Sequence, residues 1–260
     1  MANITVYTLY SGSSGNSVYI KTPDTELLID AGVSARAVEK NLKEIGTSLE
    51  NIHAIFVTHE HTDHTKGLEV ISKKYHIPTH MMSASAHALI RDPKASLLND
   101  LYLHNSTFSV KFGKTTVNAF PTPHDSEASV GYTVEYPGEK FGLATDIGHI
   151  TKEITHALSG ADSVVIESNH DVDMLMMGPY PYHLKRRILS DFGHLSNENC
   201  AQFAKILAKK GTKHFLLAHL SKENNFPPTA DITVRNALSE FKGIHLAVAS
   251  PDSPTLLGDD

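Results

Sequence analysis

Short apolar runs alternate along this chain with stretches in which apolar residues recur every three or four positions. The first pattern marks strands and the second marks amphipathic helices. Strands are predicted over 4–10, 16–21 and 26–30, with turn signals at Gly12, Gly15 and Pro23-Asp24 between them. Ser34 offers its hydroxyl as the N-cap of a helix running to about residue 45. The run Ala54-Ile-Phe-Val57 reads as a buried strand over 53–58. A helix near 66–75, a strand near 78–82 and a helix near 84–91 follow. Residues 107–146 read as all-β. Beyond them, strands over 162–167, 214–219 and 244–249 alternate with helices over 151–158, 182–190, 197–209 and 230–241. Hairpin-like runs and helix-separated strands occur in both halves, which predicts an α/β fold of two mixed sheets packed together with helices outside.

No low-complexity segment or Pro/Gly-rich linker divides the 260 residues, so they are read as a single domain, 1–260. That length supports a core without disulfides. The lone cysteine, Cys200, excludes a disulfide framework and fits a reducing compartment. The N-terminus has no basic region followed by an apolar one, and no apolar run approaches a membrane span. A cytoplasmic protein without a membrane partner is expected. The formal net charge of −6 argues against non-specific binding to long duplexes, though it leaves local basic patches open.

Histidine is the compositional anomaly, with 17 residues spread through the chain. Four metal-binding side chains crowd into Thr58-His-Glu-His-Thr-Asp-His64, directly after the predicted strand: His59, His61, Asp63 and His64. Imidazoles with a carboxylate suit a borderline divalent cation such as zinc, manganese or iron. In an extended chain, His59, His61 and Asp63 project to one side, with His64 coming round as the chain turns. Glu60 points the other way and is given no ligand role. His124, Asp146 and His219 each follow a predicted strand, where a rigid core can present side chains to a crevice. Taken singly, each is an ordinary polar residue at a strand end. Seven ligands exceed the four of a tetrahedral zinc but suit two cations about 3.5–4 Å apart. His53, His76, His80, His87, His104, His149, His156, His183, His214 and His245 are read as surface or core polar residues.

The series Thr58-His-x-His-x-Asp-His64, then His124, Asp146 and His219, resembles the ligand motifs of the metallo-β-lactamase fold family, in order and over most of the chain. The resemblance implies a four-layer αββα sandwich holding two divalent metal ions. It implies His59, His61 and His124 on one metal, Asp63, His64 and His219 on the other, and Asp146 bridging. Zinc β-lactamases of this fold place a cysteine at the bridging position, whereas Cys200 falls on a predicted helix. About forty residues follow His219, too few for the appended domain of glyoxalase-II-like thioesterases. The length also leaves no room for the large insertion of β-CASP nucleases.

Leu9-Tyr-Ser-Gly-Ser-Ser-Gly-Asn16, Glu167-Ser-Asn-His-Asp171 and Gly193-His-Leu-Ser-Asn197 resemble the YycJ/WalJ-type subgroup of metal-dependent nucleases. That resemblance implies a phosphodiesterase acting on nucleic acid, DNA in the first instance, with 5′-to-3′ exonuclease activity. Asp63 and Asp146 then position the nucleophile. His194 contacts the scissile phosphate or protonates the leaving group, work that imidazole titration suits. The loop of residues 11–16 has two readings: an anion-binding loop using Ser14 and Asn16, or a tight hairpin turn. Ser196 likewise reads as the cap of helix 197–209 and as a phosphate contact at its N-terminus. Asn169 and His170 are unassigned hydrogen-bonding or substrate groups. Lys185-Arg-Arg187 can track a nucleic-acid backbone or form a solvated helix face, whereas Lys209 and Lys210 suit a helix C-terminus. The rival function is a small-molecule hydrolase on the same centre, cleaving a cyclic phosphodiester, lactone or thioester. It requires a closed pocket with apolar walls, where a nuclease needs an open groove.

Overall fold

The computed structural model describes residues 3–91 and 100–258. Its first sheet contains β1 (Thr5–Tyr10), β2 (Ser17–Lys21), β3 (Glu26–Ile29), β4 (Ala54–Phe56), β5 (Thr79–Met82) and β6 (Leu101–His104). The second holds β7 (Ser109–Phe112), β8 (Thr115–Pro121), β9 (Val130–Tyr136), β10 (Glu139–Ala144), β11 (Ser163–Glu167), β12 (His214–Ala218) and β13 (His245–Val248). The chain ends in β14 (Thr255–Leu256), which returns to pair with β1. Strand order is β14-β1-β2-β3-β4-β5-β6 in one sheet and β13-β12-β11-β10-β9-β8-β7 in the other. Each sheet is antiparallel on one side and parallel on the other.

The helices are α1 (Ala35–Glu44), α2 (Thr62–Thr65), α3 (Leu68–Tyr75), α4 (Ser83–Arg91), α5 (Lys152–Leu158), α6 (Val172–Met177), α7 (Tyr182–Ile188), α8 (Asn197–Lys209) and α9 (Pro227–Leu238). Strand alternation distributes the core among layers. Ala54 and Phe56 of β4 and Leu216 and Ala218 of β12 face each other between the sheets. Ile55 and Val57 turn instead to the layer of α1 and α3, and Phe215 and Leu217 to that of α8 and α9. Parallel strands are covered on both faces, which is why they read as continuous apolar runs in the sequence. The layers are α/β/β/α, as the resemblance implies.

Ser34 and Ser196 cap as predicted: their hydroxyls accept from Ala37 N at 3.3 Å and Asn199 N at 3.2 Å. Helix α9 begins three residues before its predicted start, because Pro227 and Pro228 fit a first turn whose N–H groups have no partner anyway. Four short elements escaped the periodicity: α2, α6, β6 and β14. Each is too brief to show a period, and β6 and β14 draw their hydrogen bonds from strands distant in sequence.

Candidate metal centre

The residues that follow β4, β8, β10 and β12 converge at one end of the sandwich. Single nitrogens or oxygens from His59, His61 and His124 lie within 4.8 Å of one another, as do those of Asp63, His64 and His219, and those of His59, His64 and Asp146. Asp146 and His219 share a further group with Glu167 and His194. All seven sequence candidates are thus brought together, with His194 beside them.

The local path through the motif differs from the extended chain expected of it. After His61 the chain turns at once into α2, so Asp63 and His64 occupy a helical turn. The alternation rule therefore stops at His61. His59 and His61 group with His124, while Asp63 parts from them and groups with His64 and His219. Asp146 and His219 take left-handed conformations, with φ of 55° and 57°. Such geometry costs about 1 kcal/mol or more per residue and persists only when its surroundings enforce it. Around His219 they do: its N–H donates to Ser11 Oγ at 2.8 Å, and Asn169 Nδ2 donates to its carbonyl at 2.8 Å.

Hydrogen bonds fix which nitrogen four of the five candidate imidazoles present. His64 Nδ1 donates to Asp30 Oδ2 at 2.7 Å, and Thr58 Oγ1 donates to the same oxygen at 2.8 Å. With its proton given to Asp30, Thr58 Oγ1 accepts from His59 Nδ1 at 3.1 Å. His124 Nδ1 donates to Gly193 O at 3.2 Å, and His219 Nδ1 to Glu167 Oε1 at 2.7 Å. Four Nδ1 atoms are pinned, leaving four Nε2 atoms directed to the centre, as outer partners of metal-binding histidines do.

Three of the atoms left over are buried without a hydrogen bond: His59 Nε2, His219 Nε2 and Asp146 Oδ2. Each such group costs about 1–3 kcal/mol when unsatisfied. Asp146 shares one cluster with His59 and another with His219, an arrangement that fits divalent cations. Protonation shows the same demand for positive charge. Burial opposes charging of His64, but Asp146 and Asp30 raise its pKa well above the usual range. His219 is pushed up to about 10 against its burial, chiefly by Asp146. His59 and His124 are lowered, by burial first. The carboxyl of Asp146 is held well below the ordinary carboxylate range, because the charges of His219 and His64 outweigh its burial.

Glu167 is fully buried and serves both halves of the site. Its Oε1 accepts from His219 Nδ1 and, at 2.8 Å, from His194 Nδ1, and its Oε2 accepts from the N–H groups of Ile147 (2.9 Å) and Leu195 (3.1 Å). Burial opposes its ionisation, yet the charge of His194 brings its pKa down to about 2. In return His194 is raised above the ordinary imidazole range, against its own burial, by Glu167. The His194 ring lies 5.3 Å from that of His124 and 5.2 Å from that of His219.

The loop of residues 11–16 divides between its two readings. Asn16 is buried. Its Oδ1 accepts from Gly12 N at 2.9 Å, and its Nδ2 lies 3.1 Å from His64 Nε2 and 3.4 Å from Asp63 Oδ2. Its side chain is engaged by the loop backbone and by two of the candidate ligands. Ser13 and Ser14 are exposed at the loop tip. Ser196 is buried, and its oxygen is engaged as the α8 cap. Of the basic trio on α7, Lys185 donates to Met176 O and Gly178 O, and Arg187 pairs with Asp125. Arg186 remains exposed. Lys209 lies in the last turn of α8. Cys200 is buried against the outer face of the second sheet, within α8 and apart from the ligands. Sequence reasoning missed Asp30, Thr58 and Ser11, and left Glu167 without a role. The one available signal was an acid directly after an apolar strand, which Asp30 and Glu167 share.

The chain belongs to the metallo-β-lactamase superfamily: the beta-lactamase superfamily domain matches residues 25–220. It is 39% identical over 233 residues to exodeoxyribonuclease YycJ of Bacillus anthracis, covering 89% of this chain and 88% of the relative. To exodeoxyribonuclease WalJ of Streptococcus pneumoniae it is 36% identical over 256 residues, covering 96% and 95%. Among solved structures, the metallo-β-lactamase-fold protein YhfI of Bacillus subtilis superposes with a TM-score of 0.73 at 16% identity, over 98% of this chain and 100% of that one. The short form of human tRNase Z gives 0.67 at 17%, with the same coverage. These two likenesses establish the fold. Divalent metal ions belong to that fold, and the His/Asp clusters can hold them. Among the described residues, no helix is long and apolar enough to cross a membrane.

Proposed function

We propose that this protein is a dinuclear-metal exodeoxyribonuclease that cleaves phosphodiesters from the 5′ end of DNA. The observation that carries the reading is the pair of ligand clusters joined through Asp146, with His194 held beside them by Glu167. The relatives' exodeoxyribonuclease activity supports it. His59, His61 and His124 would hold one cation, Asp63, His64 and His219 the other, with Asp146 shared. When bound, the cations supply Lewis acidity at the phosphoryl oxygens and lower the pKa of attacking water. An all-nitrogen-and-oxygen donor set suits manganese, zinc or iron.

The protein's own residues do the rest. The Glu167 carboxylate accepts a hydrogen bond from His194 Nδ1–H and favours the charged ring. His194 Nε2–H then donates to a non-bridging phosphoryl oxygen or protonates the leaving alkoxide. Asp63 and Asp146 orient the attacking water. Ser14, exposed at its loop tip, offers a hydroxyl to the phosphate. Because ligands come from loops of both sheets, the halves must fold as one unit, which supports a single domain of 1–260. We assign it to the cytoplasm, where its lone buried cysteine stays reduced.

End-labelled DNA and RNA, incubated with manganese, zinc or iron and with chelator beside a His61→Ala control, test this. Metal-dependent release of nucleotides from the 5′ end of DNA is expected. Uncut DNA under every metal condition refutes it.

A further inference from the structure

Beside the metal centre lies a cavity of about 190 Å3 that the mechanism above does not use. His194 lines it, and none of the seven candidate ligands does. Tyr180, Leu184 and Ile188 give it an aromatic and apolar wall, while Ser13, Asn169 and Ser221 give it a polar one. The walls are tied to the site. Lys185 Nζ bonds Met176 O at 2.6 Å and Gly178 O at 2.8 Å, which locks α7 against the end of α6. His194 N donates to Ile188 O at 2.9 Å, Asp125 N donates to Phe192 O at 3.1 Å, and Gly193 O accepts from His124.

The geometry points to this cavity as the seat of one unpaired nucleotide at the end of the substrate strand, with Tyr180 as the stacking face. The inference rests on the nuclease reading and adds a subsite to it. The size agrees: at about 190 Å3 the space is smaller than the roughly 300–1,000 Å3 of sites for drug-sized ligands, which suits one base better than a base pair. The lining matches as well, since a nucleobase presents an apolar face and a polar edge. Charge argues in the same direction. The chain carries a net −6, and Lys185 and Arg187 of α7 are engaged within the protein. Arg187 lies in the cavity wall paired with Asp125, and base stacking is the sequence-tolerant contact beside it. Tyr182, at the start of α7, and Phe192, four residues beyond its end, are 70% and 57% exposed and offer further aromatic faces to the following bases.

The test uses oligodeoxynucleotides carrying 2-aminopurine at the 5′ end, at the 3′ end or at the centre, titrated in chelator against full-length protein. Wild-type protein should quench the probe at one end and not at the centre. Tyr180→Ala should weaken that binding roughly 5- to 100-fold, the range supplied by stacking on one aromatic ring. Tyr180→Phe should restore it. Leu184→Trp, which fills the cavity from α7, should also abolish terminal quenching, and it guards against a misfolded alanine variant. Equal quenching at all positions, no binding by wild type, or unchanged binding by both Tyr180→Ala and Leu184→Trp overturns the inference. Cleavage of end-labelled DNA by metal-loaded wild type is scored separately. Its absence refutes the nuclease reading, whereas its presence without terminal quenching refutes the subsite alone.

Discussion

Glu167→Gln is the most informative single change, because it keeps the shape of the side chain and removes only charge and one acceptor. The native carboxylate accepts four hydrogen bonds, from His194 and His219 on Oε1 and from the N–H groups of Ile147 and Leu195 on Oε2. A glutamine must turn its NH2 towards one of these pairs. If it faces the backbone pair, two buried N–H donors lose their acceptor, at about 1–3 kcal/mol each. If it faces the histidines, their Nδ1 atoms must become acceptors and the protons move to Nε2, which blocks the His219 lone pair. Either way a loss of about 3–5 kcal/mol in stability is expected, also the scale of breaking a buried ion pair. Against a typical total of about 5–15 kcal/mol, the variant should fold with a lower Tm. Loss of the outer partner should weaken metal affinity about 10- to 100-fold. The pH profile gives the sharpest reading. Glu167 raises the pKa of His194, and a general acid works below its pKa. The variant should therefore lose activity at lower pH than wild type on the alkaline limb. Chelator competition, thermal melting and kcat against pH measure the three effects. Metal affinity and turnover within twofold of wild type, with an unmoved alkaline limb, would refute the assignment of Glu167 as the shared support.

Further expectations concern other parts of the molecule. His61→Ala should lower metal content and activity together, whereas His194→Ala should keep its metal content and lose about 100- to 10,000-fold in kcat, as metal analysis beside kinetics will report. Gly32→Ala should displace the motif, because an added Cβ would sit 1.6 Å from Asp63 O and 2.6 Å from Asn16 N, both backbone atoms; weaker metal binding and a lower Tm are the readouts. His80 is stacked on Phe56 with ring centroids 4.9 Å apart, and burial pushes its pKa down to about 4. The unfolded chain protonates it near 6.5, so its contribution is intact above that pH and fades as pH falls towards 4. Urea titrations in chelator should show wild type losing about 1–3 kcal/mol more than His80→Gln between pH 7 and pH 4.5; equal losses would remove the explanation.

The chain's order of residues was enough for the layer architecture and for the seven ligand candidates. Strands of parallel sheets announce themselves as continuous apolar runs, and Thr58 to His64 concentrates donors at a density that few other purposes require. Local chemistry also located the Ser34 and Ser196 caps. What tertiary structure alone decided is what holds those donors in place. Asp63 lies beside His64 and His219 because the chain enters α2 at Thr62, where the extended reading runs on through Asp63, and a four-residue helix carries no periodic signal. Asn16, which reads from the sequence as an anion-loop or hairpin-turn residue, lies beneath the motif beside partners 47 and 48 positions away. Asp30 and Glu167 could be noticed in the sequence as acids after strands, but their partners come from α2, from the segments that follow β4, β10 and β12, and from the loop before α8, and only the sheet order brings these side by side. Periodicity and capping are short-range and are written in adjacent residues; the pairing of a buried charge is set by which strands neighbour one another, and that is a property of the assembled fold.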